Sequence, residues 1–454
     1  MVEFNNISND SVSLAQKLEI YLQAHLDNNH FMGSVLVSYQ GKVLLSEGYG
    51  MANLEHNVPN LPSTKFRIAS ISKQFTAAAI LQLQEQKLLD INDSLATYLP
   101  KYPRGEQIIV RQLLNHTSGI SNYTSFEDYE SKKSVEIELD KLIDWFKDRP
   151  LDFTPGERFS YSNSGYIVLT KIIETVSGLS YKDYLEQHIF ALLGMNDSGC
   201  DSTRTVLFNR AAGYLFTGES YVHADSLDIS IMSGAGALYS TVEDLYKWSR
   251  TFDTNIILNQ ASRDAMFAPT VEVLTGEESN NFYYGYGLRI DTEHNRNRIA
   301  HDGGIDGFLT HFARYPDERV TVIVLSNLQT ASIPKITQDL AAIIFDEPYE
   351  FPKKREAINL APAILERYAG QYKFKPSPYL SSEDSELFFT VTTDLQRIFI
   401  QVTGREKDEI FPESPTEFFL KAVDAQLTFI TNDEGESQLI IYQHGRDKVL
   451  NKID

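Results

Sequence analysis

The strongest constraint on the fold is a change of sequence pattern at residues 346–354, a short segment with two prolines and dense charge. Such a composition is typical of a linker. Before it, helical and strand patterns alternate; after it, only short strand patterns recur between turn-forming residues. The predicted strands of the second part are residues 387–391, 397–402, 417–421, 426–431 and 438–443. We therefore predict two domains, residues 1–346 and 347–454, the second being a small antiparallel barrel or sandwich.

The first domain has strand patterns at both ends of a helical middle, which predicts an α+β fold. Apolar residues with helical spacing predict helices at residues 11–26, 74–87, 136–147, 166–177, 181–193, 242–252 and 333–345. Runs rich in strand-forming residues predict strands at residues 33–39, 42–46, 284–291, 308–314 and 320–326. The first two strands flank a short turn and form a hairpin. We expect this hairpin to join the late strands in one antiparallel sheet flanked by helices.

Composition excludes several classes of function. The formal net charge is −21, and so acidic a surface repels phosphate backbones, so we expect no nucleic-acid partner. The single cysteine, Cys200, excludes an intramolecular disulfide and a thiolate metal cluster, and we predict no metal site and no cofactor. No run approaches the roughly 18 apolar residues of a membrane span. Residues 1–10 lack the pattern of an export signal, so we expect a cytoplasmic protein unless such a signal has been lost. The oligomeric state stays open.

Ser70 and Lys73 open the strongest predicted helix of the chain. Side chains three positions apart lie on one face of a helix and can reach each other. A helix N-terminus favours negative charge on a serine oxygen, and a buried lysine loses its proton readily and can then accept one from the hydroxyl. The pair therefore suits a serine nucleophile with an adjacent base. The same spacing also occurs by chance at ordinary helix starts.

Two further motifs contain residue types that suit acyl transfer. Tyr161-Ser162-Asn163 follows a Pro-Gly turn and offers a hydroxyl for proton transfer and an amide for substrate binding. In His301-Asp302-Gly303-Gly304, the glycines would let a substrate approach an edge strand, and a backbone N–H would complete an oxyanion hole. Each motif alone also fits a structural role, the first as a polar loop before a helix and the second as a tight glycine turn.

The three motifs, S-x-x-K, Y-x-N and H-x-G in this order, resemble those of the serine β-lactamase and penicillin-binding-protein superfamily. The likeness is to the branch that contains class C β-lactamases, D-aminopeptidases, D-alanyl-D-alanine carboxypeptidases and related esterases. Residues 110–120, 192–195 and 234–241 also resemble that branch, and the likeness covers about residues 10–346. The segment at residues 365–372 resembles the start of the lipocalin-like domain often appended to it.

The resemblance implies a chemical role for each of five residues. Ser70 would attack a carbonyl carbon and form an acyl-enzyme. Lys73 and Tyr161 would share the general-base and general-acid work, and the sequence does not divide it between them. The backbone N–H groups of Ser70 and Gly304 would form the oxyanion hole. Asn163 would position the amide of the substrate.

His301 and Gly303 would also contact the substrate, which we expect to be a small molecule or a short peptide. His301 stands where β-lactamases of this superfamily have the lysine of a Lys-Thr-Gly motif. A lysine provides a fixed positive charge for a substrate carboxylate, whereas histidine is largely neutral near pH 7. This departure disfavours β-lactam hydrolysis and carboxypeptidase action. It favours ester, amide or aminopeptidase-type substrates, including peptides that contain a D-residue.

Three functions stay open at this point. The first is a serine hydrolase that cleaves an ester or an amide. The second is an acyltransferase or peptide cyclase, as in the related penicillin-binding-protein-type thioesterases, which release nonribosomal peptides and also tend to carry a lipocalin-like domain. The third is a binding or scaffolding protein without catalysis, against which the intact serine, lysine and tyrosine argue. We interpret His116 and the strand tyrosine Tyr284 as structural residues.

Overall fold

The computed structural model describes residues 13–274, 281–374, 387–394, 396–403, 407–431, 437–443 and 446–453. The expectation drawn from residues 1–10 lies outside these ranges. Within them, the α-helices are α1 (Leu14–Asp27), α2 (Ser72–Glu85), α3 (Leu95–Tyr98), α4 (Val110–Leu114), α5 (Tyr129–Lys132), α6 (Leu139–Phe146), α7 (Asn163–Ser177), α8 (Tyr181–Leu185), α9 (Ala191–Leu193), α10 (Ser233–Gly236), α11 (Val242–Arg250), α12 (Gln260–Met266), α13 (Ile333–Phe345) and α14 (Pro362–Leu365).

The strands of the first domain are β1 (Gly33–Tyr39), β2 (Lys42–Tyr49), β3 (Met51–Asn53), β4 (Val58–Pro59), β5 (Phe66–Arg67), β6 (Gly199–Cys200), β7 (Tyr214–Phe216), β8 (Tyr221–His223), β9 (Leu238–Ser240), β10 (Val271–Val273), β11 (Phe282–Tyr284), β12 (Arg289–Glu293), β13 (Arg296–Ile305), β14 (Phe308–Tyr315) and β15 (Val320–Ser326). Those of the second are β16 (Gly370–Phe374), β17 (Leu387–Asp394), β18 (Arg397–Val402), β19 (Lys407–Pro412), β20 (Glu417–Leu420), β21 (Ala425–Thr431), β22 (Ser437–Gln443) and β23 (Arg446–Lys452).

The large antiparallel sheet has the strand order β10-β11-β12-β13-β14-β15-β1-β2. Because β1 pairs with both β2 and β15, the expectation that the early hairpin joins the late strands is confirmed. Alternate residues of β15 face opposite sides of the sheet. Val322 and Val324 belong to the core formed with α1 and α13, whereas Ile323 and Leu325 belong to the core formed with α2. Helices therefore cover both faces.

The predicted strand at residues 284–291 is wrong, because the chain leaves the sheet between β11 and β12. Gly287 has a φ of +76°, and a Cβ atom there would lie 2.6 Å from the carbonyl oxygen of Lys73. The bend is needed because this segment passes directly against the start of α2. The sequence pattern also does not predict β13, which is polar and contains two glycines. This strand carries His301 to Gly304, so the motif is part of a strand and not a tight turn.

The second domain is a closed antiparallel barrel in which β16 pairs with β23. This finding decides between the barrel and the sandwich. All five predicted strands are present, and β16, β19 and β23 are additional. The α+β fold followed by a small barrel is therefore confirmed, whereas the exact boundary after residue 346 stays a prediction. In the described part of the chain, no helix has the length and apolar character needed to cross a membrane.

Candidate active site

Ser70 lies in a 3₁₀ turn, Ala69–Ile71, that leads directly into α2. The turn is entered through Ala69, whose φ of +46° is unusual for a residue with a side chain. Backbone strain of this kind persists where surrounding packing enforces it, and it is commonest at functional sites. Ser70 and Gly304 both line a cavity of about 370 Å³, a size that suits a small molecule or the end of a peptide.

Lys73 is fully buried, and its side chain ends beside Ser70. The Nζ atom lies 3.2 Å from Ser70 Oγ, 2.8 Å from Asn163 Oδ1 and 2.8 Å from the carbonyl oxygen of Ala235. Burial lowers the pKa of Lys73 well below its usual value, because the charged ammonium loses its hydration. The 3₁₀ turn and the first turn of α2 thus bring a serine hydroxyl and an easily deprotonated amine together, as the spacing predicts.

Tyr161 and Asn163 reach the same point from the start of α7. The Asn163 side chain accepts a hydrogen bond from Lys73 and donates one to Thr124 Oγ1 at 3.3 Å. Lys73 Nζ lies 4.8 Å from the centre of the Tyr161 ring. Burial raises the pKa of Tyr161 above its usual value, while its hydrogen bond with Ser70 opposes that shift. The Tyr161 hydroxyl is therefore protonated at neutral pH and close to Ser70.

The third predicted motif approaches Ser70 along β13. Pairing between β12 and β13 ends at Arg289 and Ala300, so residues 301–305 extend beyond β12 and form a local edge of the sheet. A Cβ atom on Gly303 would lie 2.4 Å from the carbonyl oxygen of Ile68 and 2.1 Å from Thr310 Oγ1. Only glycine fits here, because β13 packs directly against the segment that carries Ser70.

His301 is buried, and both of its ring nitrogens contact protein groups. Its Nε2 lies 2.8 Å from the Tyr284 hydroxyl, and its Nδ1 lies 2.6 Å from the carbonyl oxygen of Asp302. Burial, reinforced by the nearby Lys73, lowers the pKa of His301 to about 4. The imidazole is therefore neutral at pH 7 and provides no fixed charge for a substrate carboxylate. Whether His301 contacts the substrate stays a prediction.

His116, which we interpret as a structural residue, lies against Tyr161, a contact that its own motif does not indicate. It is buried, has a φ of +61°, and its ring lies 4.3 Å from that of Tyr161. Its Nδ1 accepts a hydrogen bond from the backbone N–H of Ser162 at 3.1 Å. His116 thus holds the Tyr161-Ser162-Asn163 segment in place.

The cavity beside Ser70 has an acidic rim that the sequence analysis does not identify. Lys133 Nζ lies 2.7 Å from a Glu130 oxygen, 3.1 Å from an Asp306 oxygen and 3.7 Å from an Asp225 oxygen. Lys133, Glu130 and Asp306 line the cavity. Because several carboxylates surround one ammonium, this side of the cavity carries excess negative charge.

The clustering of Lys73, Tyr161 and Asn163 around Ser70 agrees with the comparison of the whole chain with known proteins. The Beta-lactamase family model matches residues 21–342. The chain belongs to the beta-lactamase family. Membership of this family supports a serine hydrolase in general, and it confirms the resemblance inferred from the three motifs.

Two similar proteins match nearly the whole length of the chain. Penicillin-binding protein 4* of Bacillus subtilis (strain 168) is 31% identical over 446 residues, which cover 93% of this chain and 95% of that protein. The structure of an octameric penicillin-binding protein homologue from Pyrococcus abyssi has 25% identity and a TM-score of 0.66, and the match covers 96% of this chain and 99% of that one.

A third similar structure is a D-amino acid amidase from Ochrobactrum anthropi SV3 in complex with L-phenylalanine. It has 22% identity and a TM-score of 0.65, and the match covers 73% of this chain and 98% of that one. At this identity the likeness shows the shared fold alone. A similar fold is therefore found in an amidase as well as in a penicillin-binding protein homologue.

Proposed function

We propose that the protein is a serine hydrolase that forms an acyl-enzyme on Ser70 with an ester or amide substrate. The observation that carries this proposal is the environment of Lys73. Asn163 Oδ1 and the Ala235 carbonyl each accept one hydrogen from Nζ. A neutral amine has two hydrogens, so both are used, and the remaining lone pair can face Ser70 Oγ at 3.2 Å.

In the proposed first step, Ser70 Oγ attacks the carbonyl carbon of the substrate and its proton passes to Lys73 Nζ. Burial keeps the Tyr161 hydroxyl protonated in the resting enzyme, so during acylation it protonates the departing oxygen or nitrogen. The proton held by Lys73 then restores the Tyr161 hydroxyl. In deacylation, Tyr161 passes its proton to Lys73 and takes one from the attacking water. Lys73 then protonates Ser70 Oγ as the acyl–oxygen bond breaks, which releases the acid and regenerates free Ser70.

The negative charge that develops on the carbonyl oxygen would be stabilised by the backbone N–H groups of Ser70 and Gly304, which line the same cavity. Asn163 and Gly303 would align the acyl group along the exposed edge of β13. These roles follow the family motifs, and the close packing of β13 on the Ser70 segment supports them.

Two features support a substrate without a carboxylate near the scissile bond. The buried His301 is neutral because its pKa is about 4, and the Glu130 and Asp306 carboxylates make one side of the cavity acidic. Both features would repel or fail to bind an anionic group. They support esters, amides or peptides with a free amino end, including those with a D-residue.

Steady-state hydrolysis of a substrate panel tests the proposal. The panel comprises a p-nitrophenyl ester, the p-nitroanilides of a D- and an L-amino acid, and an anionic cephalosporin. We expect turnover of the ester and of at least one p-nitroanilide, slower hydrolysis of the cephalosporin, and no turnover by Ser70→Ala. Adding an amine acceptor would divert the product to an amide if the enzyme is an acyltransferase. Equal turnover by wild type and Ser70→Ala would refute the proposal.

A further inference from the structure

A row of hydrogen bonds runs behind the catalytic cavity and joins two of the three motifs. It begins at the backbone N–H of Ser162, which donates to His116 Nδ1 at 3.1 Å. His116 Nε2 lies 3.3 Å from the Tyr284 hydroxyl, which lies 2.8 Å from His301 Nε2. His301 Nδ1 completes the row, 2.6 Å from the carbonyl oxygen of Asp302.

The two ends of this row determine the position of every proton in it. A backbone N–H only donates, so His116 Nδ1 carries no proton, and a neutral His116 must carry its proton on Nε2. A backbone carbonyl only accepts, so His301 carries its proton on Nδ1 and has a lone pair on Nε2. Tyr284 therefore accepts from His116 and donates to His301. Each hydrogen bond of the row can therefore have only one donor.

Neutral histidines are required for this pattern. If His301 gained a proton on Nε2, it would become a donor toward Tyr284, and the phenol hydrogen would face His116 Nε2, which is itself a donor. Burial lowers the pKa of both histidines, with Lys73 as the next cause, so both are neutral at pH 7. The electrostatics and the hydrogen-bond directions therefore agree.

We infer that Tyr284 is a positioning residue for the proposed reaction: its hydroxyl accepts from His116, donates to His301 and thereby joins the Tyr161 segment to β13. One end of the row holds the backbone next to Tyr161, and the His116 ring packs against the Tyr161 side chain. The other end holds the strand that carries Gly304. Tyr284 is 3% exposed and lies behind this layer, so it acts through these neighbours and not on the substrate. The inference rests on the proposed function for its catalytic consequence.

The tautomers can be observed directly in wild-type protein at pH 7. Long-range ¹H–¹⁵N spectra of protein labelled at its histidine rings distinguish the two neutral tautomers and the imidazolium. The signals are assigned with His116→Gln and His301→Gln. We expect the Nε2–H tautomer for His116 and the Nδ1–H tautomer for His301. The same tautomer on both rings, or an imidazolium on either, would overturn the inference.

Tyr284→Phe tests the positioning role, because it removes one oxygen and retains the ring. We expect kcat for the p-nitrophenyl ester to fall about 10-fold with little change in KM, since misplaced catalytic groups slow the reaction more than they weaken binding. Tyr184→Phe is the matched control. Tyr184 is also buried, its hydroxyl donates to Gln82 Oε1 at a distance of 3.4 Å, and it does not line the cavity. We expect this control to retain the wild-type kcat.

The two readouts separate failure of this inference from failure of the proposed function. The spectra need no turnover, so the expected tautomers in a protein that hydrolyses neither the ester nor the p-nitroanilides would refute the proposed function and leave the hydrogen-bond row supported. In an active protein, a folded Tyr284→Phe variant with unchanged kcat would overturn the positioning role alone. A fall in kcat equal to that of Tyr184→Phe would do the same.

Discussion

Adding a single methyl group at Gly303 should disturb Ser70, because the strand and the turn that carry these residues are in direct contact. In Gly303→Ala the new Cβ would lie 2.1 Å from Thr310 Oγ1 and 2.4 Å from the carbonyl oxygen of Ile68. Thr310 cannot easily turn away, because its hydroxyl donates to that same Ile68 oxygen at 3.1 Å. The backbone of β13 must therefore move away from the segment that leads to Ser70.

The structure gives the size of this movement. Cβ atoms essentially never lie within 3.0 Å of a backbone atom, so the contact with Ile68 must open by about 0.6 Å or more. Overpacking of this kind costs about 1–3 kcal/mol of folding free energy. A displacement of about 1 Å in a catalytic site can cost 100-fold in rate, so we expect acylation to slow by about 10- to 100-fold.

The assay is the pre-steady-state burst of p-nitrophenol release, measured together with thermal unfolding. Gly165→Ala is the control, because its Cβ would lie 3.5 Å from the Leu113 carbonyl oxygen, an ordinary contact. This control should retain the wild-type burst rate. If Gly303→Ala acylated as fast as wild type and unfolded at the same temperature, this result would contradict the close contact between β13 and the Ser70 segment.

Three other substitutions test separate parts of the account. Lys73→Met removes the proton acceptor, so ester hydrolysis should fall by about 10²- to 10⁴-fold, measured as kcat/KM. Tyr161→Phe should slow hydrolysis of a p-nitroanilide much more than that of a p-nitrophenyl ester, because nitrophenolate leaves without a proton. Burial lowers the pKa of His25 to about 3, whereas the same imidazole in the unfolded chain has a pKa near 6.5. Between these values only the unfolded state binds the proton, so the free energy of unfolding falls as pH decreases from 6.5 to 3. His25→Phe should reduce that slope by up to about 1.4 kcal/mol per pH unit in urea unfolding, and an unchanged slope would contradict the burial of a neutral His25.

The parts of the fold that the sequence predicts well are those with a strong local pattern. In β15, successive apolar residues such as Val322 and Ile323 point into two different cores, and every residue of the strand is buried. In α13, helical spacing of apolar residues predicts both ends of the helix. In contrast, β13 begins with charged side chains and ends in glycines, so its strand character depends on pairing with β14, a contact that no local pattern encodes.

The candidate site also combines residues that a local sequence pattern predicts with contacts that no local pattern encodes. Ser70 and Lys73 are predictable because one turn of a helix separates them. The contact of Asn163 with Lys73 spans 90 residues, so only the family resemblance indicates it. The Ala235 carbonyl gives no side-chain signal, and Tyr284 looks like any strand tyrosine until two distant histidines are found on either side of its hydroxyl.

The central claim is that Ser70 carries the acyl group, and mapping that group tests it most directly. Wild-type protein and Ser70→Ala are each quenched with acid during turnover of a p-nitrophenyl ester, and their peptides are analysed by mass spectrometry. We predict one acyl adduct in wild type, on the peptide that contains Ser70, and none in the variant. An adduct on another residue, or ester turnover by a Ser70→Ala protein that remains folded, would contradict the account.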